Sequence, residues 1–111
     1  LREARGNDFM LVPRAGWAGS QKYTMKWLGD MESTFDEMKG LPAVIRAQSA
    51  AALTGFAFWG SDIGGYTENL SKEVFVRWLQ HGTFSPVMQI SGKNDFVKSP
   101  FAWDKKTEDI Y

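Results

Sequence analysis

Short, almost unbroken apolar runs alternating with amphipathic segments predict an α/β fold in which parallel strands are covered by helices. The runs Phe9-Met10-Leu11-Val12 and Phe56-Ala57-Phe58-Trp59 lack polar alternation, as expected of strands buried on both faces. The segment from Ser71 to His81 places Val74, Phe75, Trp78 and Leu79 at helical spacing. The order of elements suits part of a closed parallel barrel, since such a piece by itself leaves strand edges unpaired and a helix layer short. The chain starts at Leu1 rather than Met and ends on Asp104-Lys105-Lys106-Thr107-Glu108-Asp109, a charged run that reads as a helix just starting; a fragment is therefore expected.

In chain order, the stretch from Asp8 to Arg14 reads as the first strand, and Ala15-Gly16-Trp17-Ala18-Gly19-Ser20 as the loop that breaks it. Tyr23 to Trp27 is a weaker strand. Thr34 and Glu37 have the spacing of a capping box, and Pro42 suits the first turn of a second helical segment, Ala43 to Leu53, stopped by Gly55. One interrupted helix or two short ones are expected there. Phe56 to Gly60 reads as the next strand, followed by a loop from Asp62 to Asn69 and the helix from Ser71 to His81, with Gly82 as its stop. Pro86 to Ile90 is the last strand, ahead of a Gly-Lys-Asn loop.

Composition narrows the chemistry. At 111 residues and 43% hydrophobic content the chain can build one domain's core. Thirteen basic and thirteen acidic residues cancel without forming a cationic stripe, which argues against nucleic acid as a partner. With no cysteine and one histidine, neither a disulfide framework nor a zinc centre is expected. The stretch from Ala47 to Trp59 is interrupted by Gln48, Ser49, Thr54 and Gly55 and is too short to span a bilayer, so no membrane partner is expected.

In parallel barrels the working residues sit at the C-terminal ends of strands. Here those ends carry Arg14, then Trp27 and Asp30, then Trp59 and Asp62, then Gln89 and Ser91. Carboxylates, aromatic faces and an arginine gathered on one rim suit glycoside cleavage. The reaction needs a proton donor at the leaving oxygen and a second carboxylate, about 5 Å away in retaining enzymes and roughly 6.5–9.5 Å in inverting ones. Aromatic rings pack on the C–H faces of sugars, and Arg and Asp bond their hydroxyls. Taken locally, a Gly-Asp after a strand is as ordinary as a turn or helix cap, and tryptophans are ordinarily core residues, Trp78 above all. Placement on one rim is what singles out Asp30.

The linked motifs Arg14, Trp27-Leu28-Gly29-Asp30, Trp59-Gly60-Ser61-Asp62-Ile63-Gly64-Gly65-Tyr66, Arg77-Trp78-Leu79-Gln80 and Gly82-Thr83-Phe84-Ser85-Pro86 resemble glycoside hydrolase family 31 over nearly the whole chain. The family includes α-glucosidases, α-xylosidases and sulfoquinovosidases. The resemblance implies a retaining, exo-acting α-glycosidase on a (β/α)8 TIM barrel, of which this chain is the second half, from about strand 5 to strand 8. By the same resemblance Asp30 matches the general acid/base, Arg14 and Trp27 match residues lining the sugar subsite, and Asp62 matches a carboxylate that bonds sugar hydroxyls. The family's nucleophile, an Asp at the end of the fourth strand, has no counterpart in these residues. The partners implied are a carbohydrate substrate and the remainder of the same barrel, with no cofactor.

Glucosidases of the family usually carry Arg-x-His after the eighth strand, where this sequence has Gln89-Ile90-Ser91. That departure opens the subsite to a substituent or to a hydroxyl of different configuration. Lys93, just beyond, is read as a solvated loop lysine in preference to a partner for an anionic substituent. A non-catalytic carbohydrate-binding member of the family is the alternative, and transglycosylase or lyase chemistry a further one. His81 is expected to be structural, with its charge favouring the helix dipole, and the five methionines to fill gaps in the core. Glu32, Asp36 and Glu37 are expected to serve a helix start, Glu73 and Arg77 to form a weak surface pair, and Gly64 and Gly65 to make a tight turn beside the sugar site.

Overall fold

The computed structural model describes residues 1–23, 25–67, 69–92 and 98–111. Its centre is a three-stranded parallel sheet, β1 (Lys26–Trp27), β2 (Trp59–Asp62) and β3 (Val87–Gln89), arranged in sequence order. Lys26 lies opposite Trp59 and Trp27 opposite Gly60; Gly60, Ser61 and Asp62 lie opposite Val87, Met88 and Gln89. Among the described residues, four α-helices accompany it: α1 (Arg2–Arg5), α2 (Leu41–Leu53), α3 (Lys72–Gly82) and α4 (Lys105–Ile110). Because α2 connects β1 to β2 and α3 connects β2 to β3, the strands stay parallel and all C-terminal ends point the same way.

Burial explains the helices. In α3, Val74, Phe75, Trp78 and Leu79 are buried while Glu73, Arg77 and Gln80 face water; the Ser71 hydroxyl accepts the Val74 N–H at 3.3 Å and caps the first turn. In α2, Leu41, Val44 and Gln48 line the buried face, and Pro42 occupies the first turn, where no N–H is missed. These side chains, with Ile63 and Leu70, form the core between helices and sheet. Trp78 is fully buried, and its indole N–H donates to Ser61 Oγ at 3.1 Å, fixing the face of β2 that meets the helices. By alternation, Trp59 shares that face, while Gly60 and Asp62 occupy the opposite one. The Gln48 amide oxygen and the His81 ring hydrogen-bond and join α2 to α3. At the C-terminal end, Asp104 caps α4 through Thr107 and pairs with Lys72 of α3; that pairing holds its carboxyl at about 2.

Several sequence expectations move. Among the described residues the stretch from Asp8 to Arg14 is not a strand: Phe9, Met10, Leu11 and Val12 are exposed, and the Trp27 N–H donates to the Pro13 carbonyl at 3.0 Å, which brings the segment against β1. Pro13 has no N–H with which to return a ladder bond. The strand expected from Tyr23 shortens to Lys26–Trp27. The one expected over Phe56 to Gly60 slides to Trp59–Asp62, because the ladder follows Gly60, Ser61 and Asp62 while Phe58 is exposed. No helix starts at Thr34. Its hydroxyl accepts the Asp36 N–H, Asp36 accepts the Met38 and Lys39 N–H groups in a turn, and α2 begins only at Leu41, after Gly40. Glu32 pairs with Lys39 and Glu37 with Arg46, so these acids brace the turn.

Gly55 does end α2, with φ +84, but Gly82 is the last residue of α3, and its lack of a side chain serves packing. A Cβ there would fall 2.6 Å from Ile63 Cδ1 and 3.0 Å from Met88 Sδ. Arg77 donates to Gln80 in place of pairing with Glu73. Only Met25 of the methionines is buried; Met31 packs on the core's margin, and Met10, Met38 and Met88 are exposed. The radius of gyration is 15.0 Å, against roughly 13 Å for a closed domain of about this size. Trp78→Phe, which leaves Ser61 Oγ buried without its donor, is expected to cost about 2 kcal/mol in urea denaturation of the intact protein.

Candidate active site

The site is assembled from the three loops that leave the C-terminal ends of the strands. After β1 the chain turns at Gly29, φ +80, and a Cβ there would lie 2.8 Å from Arg14 Nη2. The glycine lets the guanidinium rest against the backbone, where Arg14 Nη2 stands 3.5 Å from Asp30 Oδ1. Both side chains are open to solvent, 65% and 49% exposed, so the pair orients Asp30 more than it stabilises the fold.

Asp62, at the end of β2, is placed in the opposite way: only 4% exposed, its carboxyl lies in the interior of the rim. Burial raises its pKa; a hydrogen bond from the Trp27 side chain, the Lys98 ammonium and the Arg14 guanidinium oppose that rise, and the Asp30 carboxylate adds to it. Arg14, Trp27, Asp30 and Asp62 therefore share one electrostatic neighbourhood. Trp27 reaches it because Gly60 lies opposite: a Cβ on Gly60 would sit 2.7 Å from Trp27 Cζ3 and 3.0 Å from the Val87 carbonyl oxygen.

The chain then turns through Gly64 and Gly65, φ +83 and +80. The turn expected there is present, and the close approach it permits is to the β1 loop: a Cβ on Gly65 would lie 2.8 Å from Ser33 N and 2.9 Å from the Glu32 carbonyl. Tyr66 N–H donates to the Met31 carbonyl at 2.7 Å, and Ser33 donates twice to Thr67, from its N–H to the hydroxyl at 2.9 Å and from its own hydroxyl to the carbonyl at 2.6 Å.

Gln89 lies opposite Asp62 in the register and is exposed, and Ser91 follows two residues on, half-buried. Trp59 stands apart from this group: it opens β2, about 10 Å before Asp62 along the strand, on the helix-covered face. His81 lies in the helix layer, where burial lowers its pKa and so opposes the charge that the helix end would favour. Lys93 lies outside the described residues. Among the described residues, no group of three metal-ligating side chains comes together.

Sequence reasoning overlooked Lys98, 5% exposed, whose ammonium donates to the Gly65 carbonyl and lies 3.5 Å from Ser33 Oγ. The available signal was a single cation set among Phe96, Val97, Pro100 and Phe101.

With the rim described, its likeness to known proteins can be stated. The glycosyl hydrolases family 31 TIM-barrel domain matches residues 1–111, the whole chain. This chain belongs to glycoside hydrolase family 31. Its family relatives include the sulfoquinovosidase of Escherichia coli strain K12, 40% identical over 87 residues that make up 74% of this chain and 13% of that protein. The alpha-xylosidase of Emericella nidulans is 32% identical over 104 residues, 94% of this chain and 13% of the xylosidase. Among solved structures, a GH31 family sulfoquinovosidase from E. rectale in complex with the aza-sugar inhibitor IFGSQ superposes with a TM-score of 0.78 at 34% identity, covering 96% of this chain and 17% of that one. The family 31 chain thus spans less than a fifth of the length of these relatives.

Two substitutions test the geometry. Gly60→Ala is expected to displace the Trp27 ring, seen as a change in intrinsic tryptophan fluorescence of the intact protein without loss of its secondary-structure circular dichroism. For Asp62 the sign follows from its raised pKa: the folded state holds the proton more tightly than the unfolded chain. Its contribution to stability is therefore full below about pH 4 and is lost as pH rises through the folded value. Asp62→Asn, which cannot ionise, should gain stability relative to the parent between about pH 4 and pH 7 in urea titrations.

Proposed function

We propose that this segment is part of a retaining, exo-acting α-glycosidase and supplies the second half of its (β/α)8 barrel, about strands 5 to 8. The observation that carries the reading is the pairing of two unlike carboxyl groups on one rim: Asp30 open to solvent beside Arg14, and Asp62 buried under Trp27. An acid/base catalyst must reach the leaving oxygen and then a water molecule, which suits the exposed group. A carboxylate that fixes sugar hydroxyls must be held still, which suits the buried one.

In this mechanism Asp30 donates its proton to the glycosidic oxygen as the bond to the anomeric carbon breaks. An aspartate contributed by the rest of the barrel attacks that carbon and forms the glycosyl-enzyme intermediate. Asp30, now ionised, takes a proton from water, which displaces the enzyme carboxylate with net retention. Arg14 orients Asp30 and can bond a sugar hydroxyl, Trp27 offers a flat face to the ring, and Asp62 accepts hydroxyl donors. Gln89 and Ser91 border the subsite where family glucosidases carry Arg-x-His. The named activities of the relatives, on sulfoquinovosides, α-xylosides and α-glucosides, support an α-glycoside as substrate. The exposed apolar residues Phe9, Met10, Val12 and Phe58 supply surface for the remainder of the barrel.

In the intact enzyme, Asp30→Asn is expected to lower kcat/KM on alkyl or disaccharide substrates by about three orders of magnitude. Aryl glycosides with activated leaving groups, which need little protonation, should be spared at the glycosylation step. Equal turnover of parent and variant on both classes would remove Asp30 from the reaction.

A further inference from the structure

We propose that Lys98 is a positioning residue of this site: its buried ammonium ties together the loops that follow β1 and β2, including the turn that begins at Asp62, and places a positive charge behind that carboxyl. The proposal deepens the glycosidase reading and, for its kinetic part, rests on it.

Lysine is almost never fully buried unless its charge is met. Lys98 is 5% exposed, and its ammonium has three hydrogens to place. It donates to the Gly65 carbonyl, in the turn that begins at Asp62, and lies 3.5 Å from Ser33 Oγ, three residues after Asp30. The segment after β3 closes over the same side chain: a Cβ on Gly92 would fall 2.8 Å from Lys98 Cε and 2.9 Å from Nζ. One cation thus touches the loops leaving all three strands.

The carbonyl and the hydroxyl satisfy hydrogen bonds but carry no net charge. The compensating charge is the Asp62 carboxylate, which favours the protonated lysine against the burial that lowers its pKa. Among the described residues, the groups that act on Asp62 are the donating Trp27 side chain, Lys98, Arg14 and, repulsively, Asp30. Arg14 is 65% exposed and engaged with Asp30, so solvent and its partner screen its field. Lys98 acts through the protein interior, where the same charge has more effect. An ionised Asp62 is in turn the stronger acceptor for a sugar hydroxyl. The role assigned to Lys98 is therefore indirect, through Asp62 and the turn behind it.

The test uses the intact enzyme with Lys98→Met, Lys98→Arg, Asp62→Asn and the double variant Lys98→Met/Asp62→Asn. Lys98→Met should raise KM about tenfold or more, with a smaller change in kcat. It should also move the acidic limb of the kcat/KM profile to higher pH, because Asp62 then gains its proton more readily; Lys98→Arg should recover most of both effects. In the Asp62→Asn background, Lys98→Met should change KM by a smaller factor than in the parent, since the carboxylate it acts on is already neutral and only the loop contacts are lost. An unmoved acidic limb, or effects of the two substitutions that simply multiply, would overturn the proposal.

Urea denaturation separates failure of this proposal from failure of the glycosidase reading, because it needs no turnover. Lys98→Met should lose more stability at pH 7 than at pH 4, and the excess should vanish in the double variant. An equal loss at both pH values would overturn it. If Lys98→Met alone is too unstable to purify, recovery of soluble double variant supports the coupling, and its failure to recover counts against it.

Discussion

Two backbones meet without a side chain between them where Gly65 lies against Glu32 and Ser33, and the rim depends on that contact. The left-handed turn at Gly64 and Gly65 brings the chain leaving β2 back onto the loop leaving β1, and hydrogen bonds from Tyr66 to Met31 and between Ser33 and Thr67 close the seam. Asp30 and Asp62, thirty-two positions apart in the chain, owe their shared environment to this seam. A β-carbon at Gly65 would meet backbone atoms, which cannot rotate away as a side-chain tip can.

The contact also sorts the two acids by mobility. Asp30 sits on the solvent side of the β1 loop, held by an exposed ion pair that can open and reform. Asp62 sits behind Trp27, on a strand whose other face is pinned by the bond from Trp78 to Ser61. Small residues make this layering possible: Gly29 leaves space for the Arg14 guanidinium, and Gly60 leaves space for the Trp27 ring. The same residue type works differently at Gly82, where the helix is regular and the missing side chain admits Ile63.

Much of this was legible in the sequence wherever a local rule and the packing agree. Helix α3 announces itself through the spacing of Val74, Phe75, Trp78 and Leu79, and Pro42 and Gly55 bracket α2. The direction of the strands and the rim carrying Arg14, Trp27, Asp30, Asp62 and Gln89 follow from order alone. Strand limits were less legible, because hydrophobicity reports burial and not hydrogen bonding. The apolar Phe9 to Val12 run forms no strand, and β2 is built on Gly60, Ser61 and Asp62, which no hydrophobic pattern marks. Lys98 was invisible because a cation's burial is decided by partners far away in the chain.

The single histidine and Asp62 lie on opposite sides of β2 and respond to protons in opposite senses. Burial lowers the pKa of His81, so the stability it lends through Gln48 is complete above its unfolded value, near pH 6.5, and drains away as acid converts the ring to its cation. Over that descent the buried carboxyl becomes cheaper to keep. Acidification therefore loosens the junction of α2 and α3 while easing the electrostatic load at the rim. Protonation therefore acts in opposite directions on the two faces of β2.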